Sequence, residues 1–285
     1  LDPTSPANIT GPINITTGNT IKDLQIGGTA GSAVNGTNSV GGTMSGVLID
    51  GASARGVSLT NSTGTFSVTN STFRNIPSHG IVASSDTGSF VWSVTGSTFA
   101  NNSGQDVFSN TTGAAAQNVT VANSNSTGGT VQFVFLDAIT SGSVGLNLTN
   151  NTVQGNGTKG RGLSVGTDST TNLLALISGN NVTGCTNEGI RMSIGGNSLV
   201  KARFTNNRTV GNLLNSGLVI FNTGTEAPSF GAIFQDNIGD RFSLSGIVGT
   251  FQVEELPAFN AASNNTGVLT TTSVTGVAAG SLGIP

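Results

Sequence analysis

The chain has 285 residues, a formal net charge of −3, and only 8% charged residues, against about 25% in an average soluble domain. The scattered Lys and Arg form no basic stripe for nucleic acid, and no apolar run approaches the roughly 20 residues of a membrane-spanning helix, so no membrane insertion is expected from this segment. Cys185 is the single cysteine and His79 the single histidine, which excludes an internal disulfide and any zinc site built from several such ligands.

Taken in chain order, residues 1–19 (LDPTSPANITGPINITTGN) begin with Leu1, as a processed or excised segment does. They carry strand-forming Ile and Thr with almost no charge, and are expected to cap the fold or to pair with a neighbour. A repeat then occupies residues 20–267. FSVTNSTFRN at 66–75 returns as WSVTGSTFAN at 92–101. Aligned on the apolar residue of SVT, the series runs Val68, Val94, Val121, Leu148, Ile177, Phe204, Phe234 and Ala261, at steps of about 27 residues, inside the range that marks a solenoid.

A second series keeps the same step. It reads GVSL at 56, GIVA at 80, DVFS at 106, FVFL at 133, GLSV at 162, GIRM at 189 and GLVI at 217. Each segment alternates with period two and is bounded by Gly, Asn or Ser, which predicts short strands. After each SVT strand comes a bend pair, from Asn70-Ser71 and Gly96-Ser97 to Asn206-Asn207 and Asp236-Asn237. Asn and Gly tolerate the left-handed backbone of a sharp bend, and stacked Asn amides can hydrogen-bond along an axis. The recurrence is geometric, and it predicts an all-β parallel β-helix of about nine or ten coils with like residues stacked about 4.8 Å apart. Residues 268–285 (VLTTTSVTGVAAGSLGIP) follow as a strand-like tail.

With this repeat length, the Gly-apolar strand starts and the Asn-rich bends, the chain resembles the right-handed parallel β-helix superfamily of pectin-degrading enzymes, phage tailspikes and autotransporter passengers. The resemblance speaks for architecture and leaves function open. Polygalacturonase-like members carry clustered acids and bases; here Ser78-His79-Gly80 is the nearest fragment, with no Asp-Asp and no Arg-Ile-Lys. Asp86 and Asp168 share a coil position but lie three coils apart, and Asp236/Asp240 and Glu254/Glu255 have no evident acid–base partner. Glycoside hydrolysis needs two carboxylates held about 5–9.5 Å apart. The chain is therefore expected to be non-enzymatic and to need no cofactor or metal.

Other residues receive structural assignments. His79 lies on a polar edge with Arg55, Gln105, Gln132, Arg161, Glu188 and Ser216, where Arg161 and Glu188 can pair. Cys185 reads as a small residue in a turn. Trp92 shares an inward column with Phe66, and with no Tyr present, sugar stacking has little to work with. Outward Ser67, Thr69, Ser93 and Thr95 would suit an ice lattice, but the array decays into Leu176, Arg203 and Ile233. About fifteen Asn-x-Ser/Thr sequons permit glycosylation in a secretory setting.

One outward column is apolar. Val82, Phe108 and Phe135 fall in consecutive coils and form an external stripe that a tail or a partner would cover, which makes them the candidate interface. The sequence thus points to an extracellular or cell-surface structural solenoid, a fibre or sheath subunit whose partner is itself. The alternatives are an adhesin that binds surface glycans and, below that, a polysaccharide lyase or glycosidase.

Overall fold

The computed structural model describes residues 7–38, 40–213, 217–222, 226–246, 248–256 and 265–284. These form an all-β parallel solenoid of about nine turns. Three stacks of strands run along its axis. The long-strand stack is an 11-stranded sheet running from Asn19–Lys22 to Thr275–Val277. A short-strand stack begins at Ala7–Ile9, and a Gly-anchored stack begins at Ile13–Ile15. The last two merge into one 20-stranded sheet because Ile238–Ser245 runs through both, pairing with Arg208–Val210 and then with Leu218–Asn222.

Both predicted core ladders are present. Val68, Val94, Val121, Leu148, Ile177 and Phe204 are paired coil to coil and fully buried. Val57, Ile81, Val107, Val134, Leu163 and Ile190 behave in the same way. Aromatic residues follow the rule, with the Phe73 and Phe99 rings stacked at 5.0 Å and the Phe204 and Phe234 rings at 4.9 Å. Ala261 and Ser216 lie outside the described residues.

Parallel pairing extends past both bounds drawn from the repeat. It starts at Ala7 opposite Leu24 and ends at Val277 opposite Glu254. Strand pairing uses backbone N–H and C=O groups, so a coil can join the ladder without carrying the consensus side chains. Residues 7–19 and 268–277 are thus built into the solenoid, and residues 278–284 follow outside the strand ladders.

The bends after the long strands carry a continuous buried ladder. At the first bend position Asn70, Asn123, Asn150, Asn206 and Asp236 hold φ between 49° and 55°, and Gly96 and Gly179 take over at 61° and 67°. At the second, Asn151, Asn180, Asn207, Asn237 and Asn265 face inward. Each of the first four donates an amide proton to the carbonyl oxygen of the next, at 2.9–3.0 Å. The same amides also cap core carbonyls: Asn180 on Leu148 at 2.8 Å and Asn207 on Ile177 at 2.7 Å. In earlier coils Ser71, Ser97 and Ser124 hold the same position, and their hydroxyls accept the backbone N–H of the coil before at 3.1–3.2 Å.

A second regularity explains the anchor glycines. A Cβ on Gly56 would meet Phe73 at 2.8 Å, and one on Gly80 would meet Phe99 at 3.0 Å. In these two coils the aromatic of the next coil packs over the anchor, and farther on Val182 takes that place over Gly162. Where the anchor is Asp106, the overlying residue shrinks to Ser126, and its hydroxyl donates to Asp106 Oδ2 at 2.5 Å. Asn102 donates to Oδ1 at 2.9 Å, and Lys159 Nζ reaches Oδ2 from 53 residues away at 3.0 Å. The Lys159 and Asp106 side chains are 0% and 1% exposed. The interior therefore contains one fully enclosed ion pair that the sequence reading did not identify.

Candidate functional site

The outer face of the Gly-anchored stack carries the most varied chemistry on the surface. Its first outward column reads Ser58, Val82, Phe108, Phe135, Ser164, Arg191 and Val219, each paired with the next. The candidate interface residues are therefore neighbours. The Phe108 and Phe135 rings stack at 5.5 Å and remain half-buried, while Val82 is only 8% exposed. The two rings present a flat apolar step two coils long.

His79 extends that step. Its ring lies 5.8 Å from Phe108, and Ser78 Oγ is 2.8 Å from its Nδ1. Burial holds the imidazole below its ordinary range, and the charge of Arg55 acts in the same direction. No acid orients it, so the group is a neutral edge of the aromatic step.

Beyond Phe135 the face sinks into a trough of about 300 Å³ lined by Phe135, Asp137, Arg161, Ser164, Asp168 and Arg191. Arg161 Nε pairs with Glu188 Oε2 at 2.5 Å, as the polar edge column suggested. The Arg191 guanidinium carbon sits 4.7 Å above the Phe221 ring. Asp137 lies opposite Gly166 and Asp168 opposite Ile139, so the two carboxylates occupy adjacent coils two positions apart. Burial raises the Asp137 carboxyl above its usual range, with the negative charge of Asp168 as a smaller cause.

Asp137 escapes comparison along coil columns and between chain neighbours because it is offset, one coil before Asp168 and two residues short of Ile139, the residue opposite it. Arg161, Arg191, Asp137 and Asp168 give the trough both signs of charge beside an aromatic step, which suits a polar, hydroxyl-rich ligand. Among the described residues no group of three or more His, Cys, Asp or Glu side chains is placed to hold a metal ion.

The opposite face is covered in part by the chain itself. Glu254 accepts hydrogen bonds from the backbone of Gly280 at 2.9 Å and of Leu282 at 3.0 Å. Leu282 then packs on Gly231, and the buried Ile284 lines an open depression of about 370 Å³ together with Leu174, Leu176 and Arg203. The tail thus lies across the outer side of the long strands. It lies away from the Gly-anchored face, where Phe108 and Phe135 are half-buried and Val82, expected on the open stripe, is buried. Leu174 and Leu176 beside the tail stay 45% and 37% exposed.

No protein-family model matches the chain, and no curated protein matches it.

Proposed function

We propose that this chain is an extracellular, non-enzymatic structural solenoid of the right-handed parallel β-helix superfamily, a rod that assembles head-to-tail with copies of itself. The observation that supports this reading is the state of the two ends. Among the described residues the first coil, Ala7–Ile9, Ile13–Ile15 and Asn19–Lys22, shows strand pairing to the second coil alone. Among the described residues the last, Thr266–Thr272 and Thr275–Val277, shows strand pairing to the coil before it, with Val268 61% exposed.

Among the described residues no helix covers either edge. All strands run parallel around one axis, so the last coil of one copy offers the first coil of another the same pairing the chain makes internally. A heterologous contact of this kind does not close, and it generates a filament. Open edges are normally blunted by charge, and Lys is the usual device. Substituting Val268→Lys together with Thr270→Lys should hold the protein at single-rod size in light scattering while the wild type grows with concentration. Growth of both proteins alike would refute the reading.

The trough favours a second reading, an adhesin-type rod that binds a surface glycan along the Gly-anchored face. The stacked Phe108 and Phe135 would serve as the platform, with Arg191 and Asp168 as polar contacts. Binding to a glycan array that disappears in Phe108→Ala and survives Leu174→Ala would favour it over pure assembly. Neither reading includes turnover, and release of reducing or unsaturated sugars from polyuronides would contradict both.

A further inference from the structure

We propose that Lys159 and Asp106 become joined by an intramolecular amide bond that staples three successive coils from the inside. The two side chains meet at 3.0 Å in a site with almost no solvent exposure. Each neighbouring group is placed for condensation. Lys159 Nζ and Ser126 Oγ both address Oδ2, while the Asn102 amide donates to Oδ1 alone.

An ion pair in a dry interior recovers little of its desolvation cost, so transfer of the proton from ammonium to carboxylate is the natural response. Burial acts in that direction at Asp106, raising its carboxyl above the usual range. In the proposed step the ammonium first passes one proton to the carboxylate, which leaves an amine facing a carboxylic acid. Nζ attacks Cγ, and the negative charge develops on Oδ1, where the Asn102 N–H waits as an oxyanion donor. Oδ2 takes a proton from the attacking nitrogen by way of the Ser126 hydroxyl and leaves as water. One C–N bond forms, one C–O bond breaks and one water is released, with no oxidant and no co-reactant.

The placement also gives the bond a use. Asp106 begins one coil, Ser126 lies in the next, and Lys159 returns in the one after, crossing Gly129, where a Cβ would stand 3.1 Å from Nζ. A chain with one cysteine has no disulfide with which to tie its coils, and this amide would close a loop of comparable effect. The inference is independent of the assembly reading above.

The test is the intact mass of the full-length protein measured under denaturing conditions, with tandem mass spectrometry of its peptides. The expected result is a chain lighter by one water, about 18 Da. Trypsin should no longer cut after Lys159, and a branched peptide should join Lys159 to Asp106. Lys159→Met should show its full sequence mass, whether or not it folds. A wild type at full sequence mass overturns the proposal, as does a missing water located elsewhere or retained in Lys159→Met.

Discussion

Asn180 donates its amide to Asn207 Oδ1 at 2.9 Å and simultaneously caps the Leu148 carbonyl at 2.8 Å. Its own carbonyl oxygen receives both the backbone and the side-chain N–H of Asn151, at 3.1 and 3.0 Å. The residue is thus saturated in a site sealed from water. Asn180→Ala strands donors on one coil and acceptors on two, at a cost of about 3 kcal/mol. A urea titration should show the midpoint falling without a change in slope. Asn180→Ser, which restores the acceptor used earlier in the same ladder, should cost less. Equal stability of all three proteins would mean that the ladder contributes nothing.

The enclosed pair gives a pH prediction with a definite sign. In Lys159→Met the opposing charge is gone, and Asp106 keeps its burial, the main cause that raises it. A carboxyl raised in the folded state stabilises fully below its unfolded value, near about 4, and that stability is lost as pH rises through the folded value. The variant should therefore lose up to about 1.4 kcal/mol per pH unit above pH ~4, until Asp106 ionises. The wild type should show a shallower dependence. A variant whose urea midpoint rises with pH over this range would contradict the assignment.

His79 moves in the opposite direction. Its folded value is depressed by burial and by Arg55, so the stability it lends is present above about pH 6.5 and is lost as pH falls through the folded value. Because the chain has one histidine, a single imidazole signal reports it in NMR. The signal should titrate below pH 6.5, and Phe108→Ala, which opens the ring to water, should move it upward. Titration at or above 6.5 in the wild type would remove His79 from the aromatic step.

Cys185 is fully buried, with its thiol pushed up to about 11 by burial. A thiol reagent at pH 8 should leave the native chain unlabelled and label it completely in denaturant. Rapid labelling of the folded protein would show that the interior near Lys159 opens.

The architecture was legible because stacking forces identity at equivalent coil positions. Val68 and Val94 share an environment, so they share a residue type, and the period follows. The bends were legible through the φ requirement that selects Asn or Gly at positions such as Asn70 and Gly96. What escaped the repeat were compensated departures from it. Asp106 takes a glycine's place only because Ser126 takes a phenylalanine's in the next coil, and neither residue alone signals the exchange. Lys159 belongs to neither repeat series, so nothing in the period marks it as buried. The Asp137–Asp168 pair is diagonal, so a search by columns passes over it. The tail's path depends on Glu254, which holds Gly280 and Leu282 and does not belong to the tail itself.

The central claim, a rod that stacks end to end, is tested most directly by electron microscopy of the purified chain over a concentration series. The account predicts unbranched filaments of one coil's width, with lengths in multiples of about 45 Å, one copy being about nine coils at 4.8 Å each. Mean length should rise with concentration and collapse to one unit in the Val268→Lys/Thr270→Lys variant. Single rods of constant length at every concentration would contradict it.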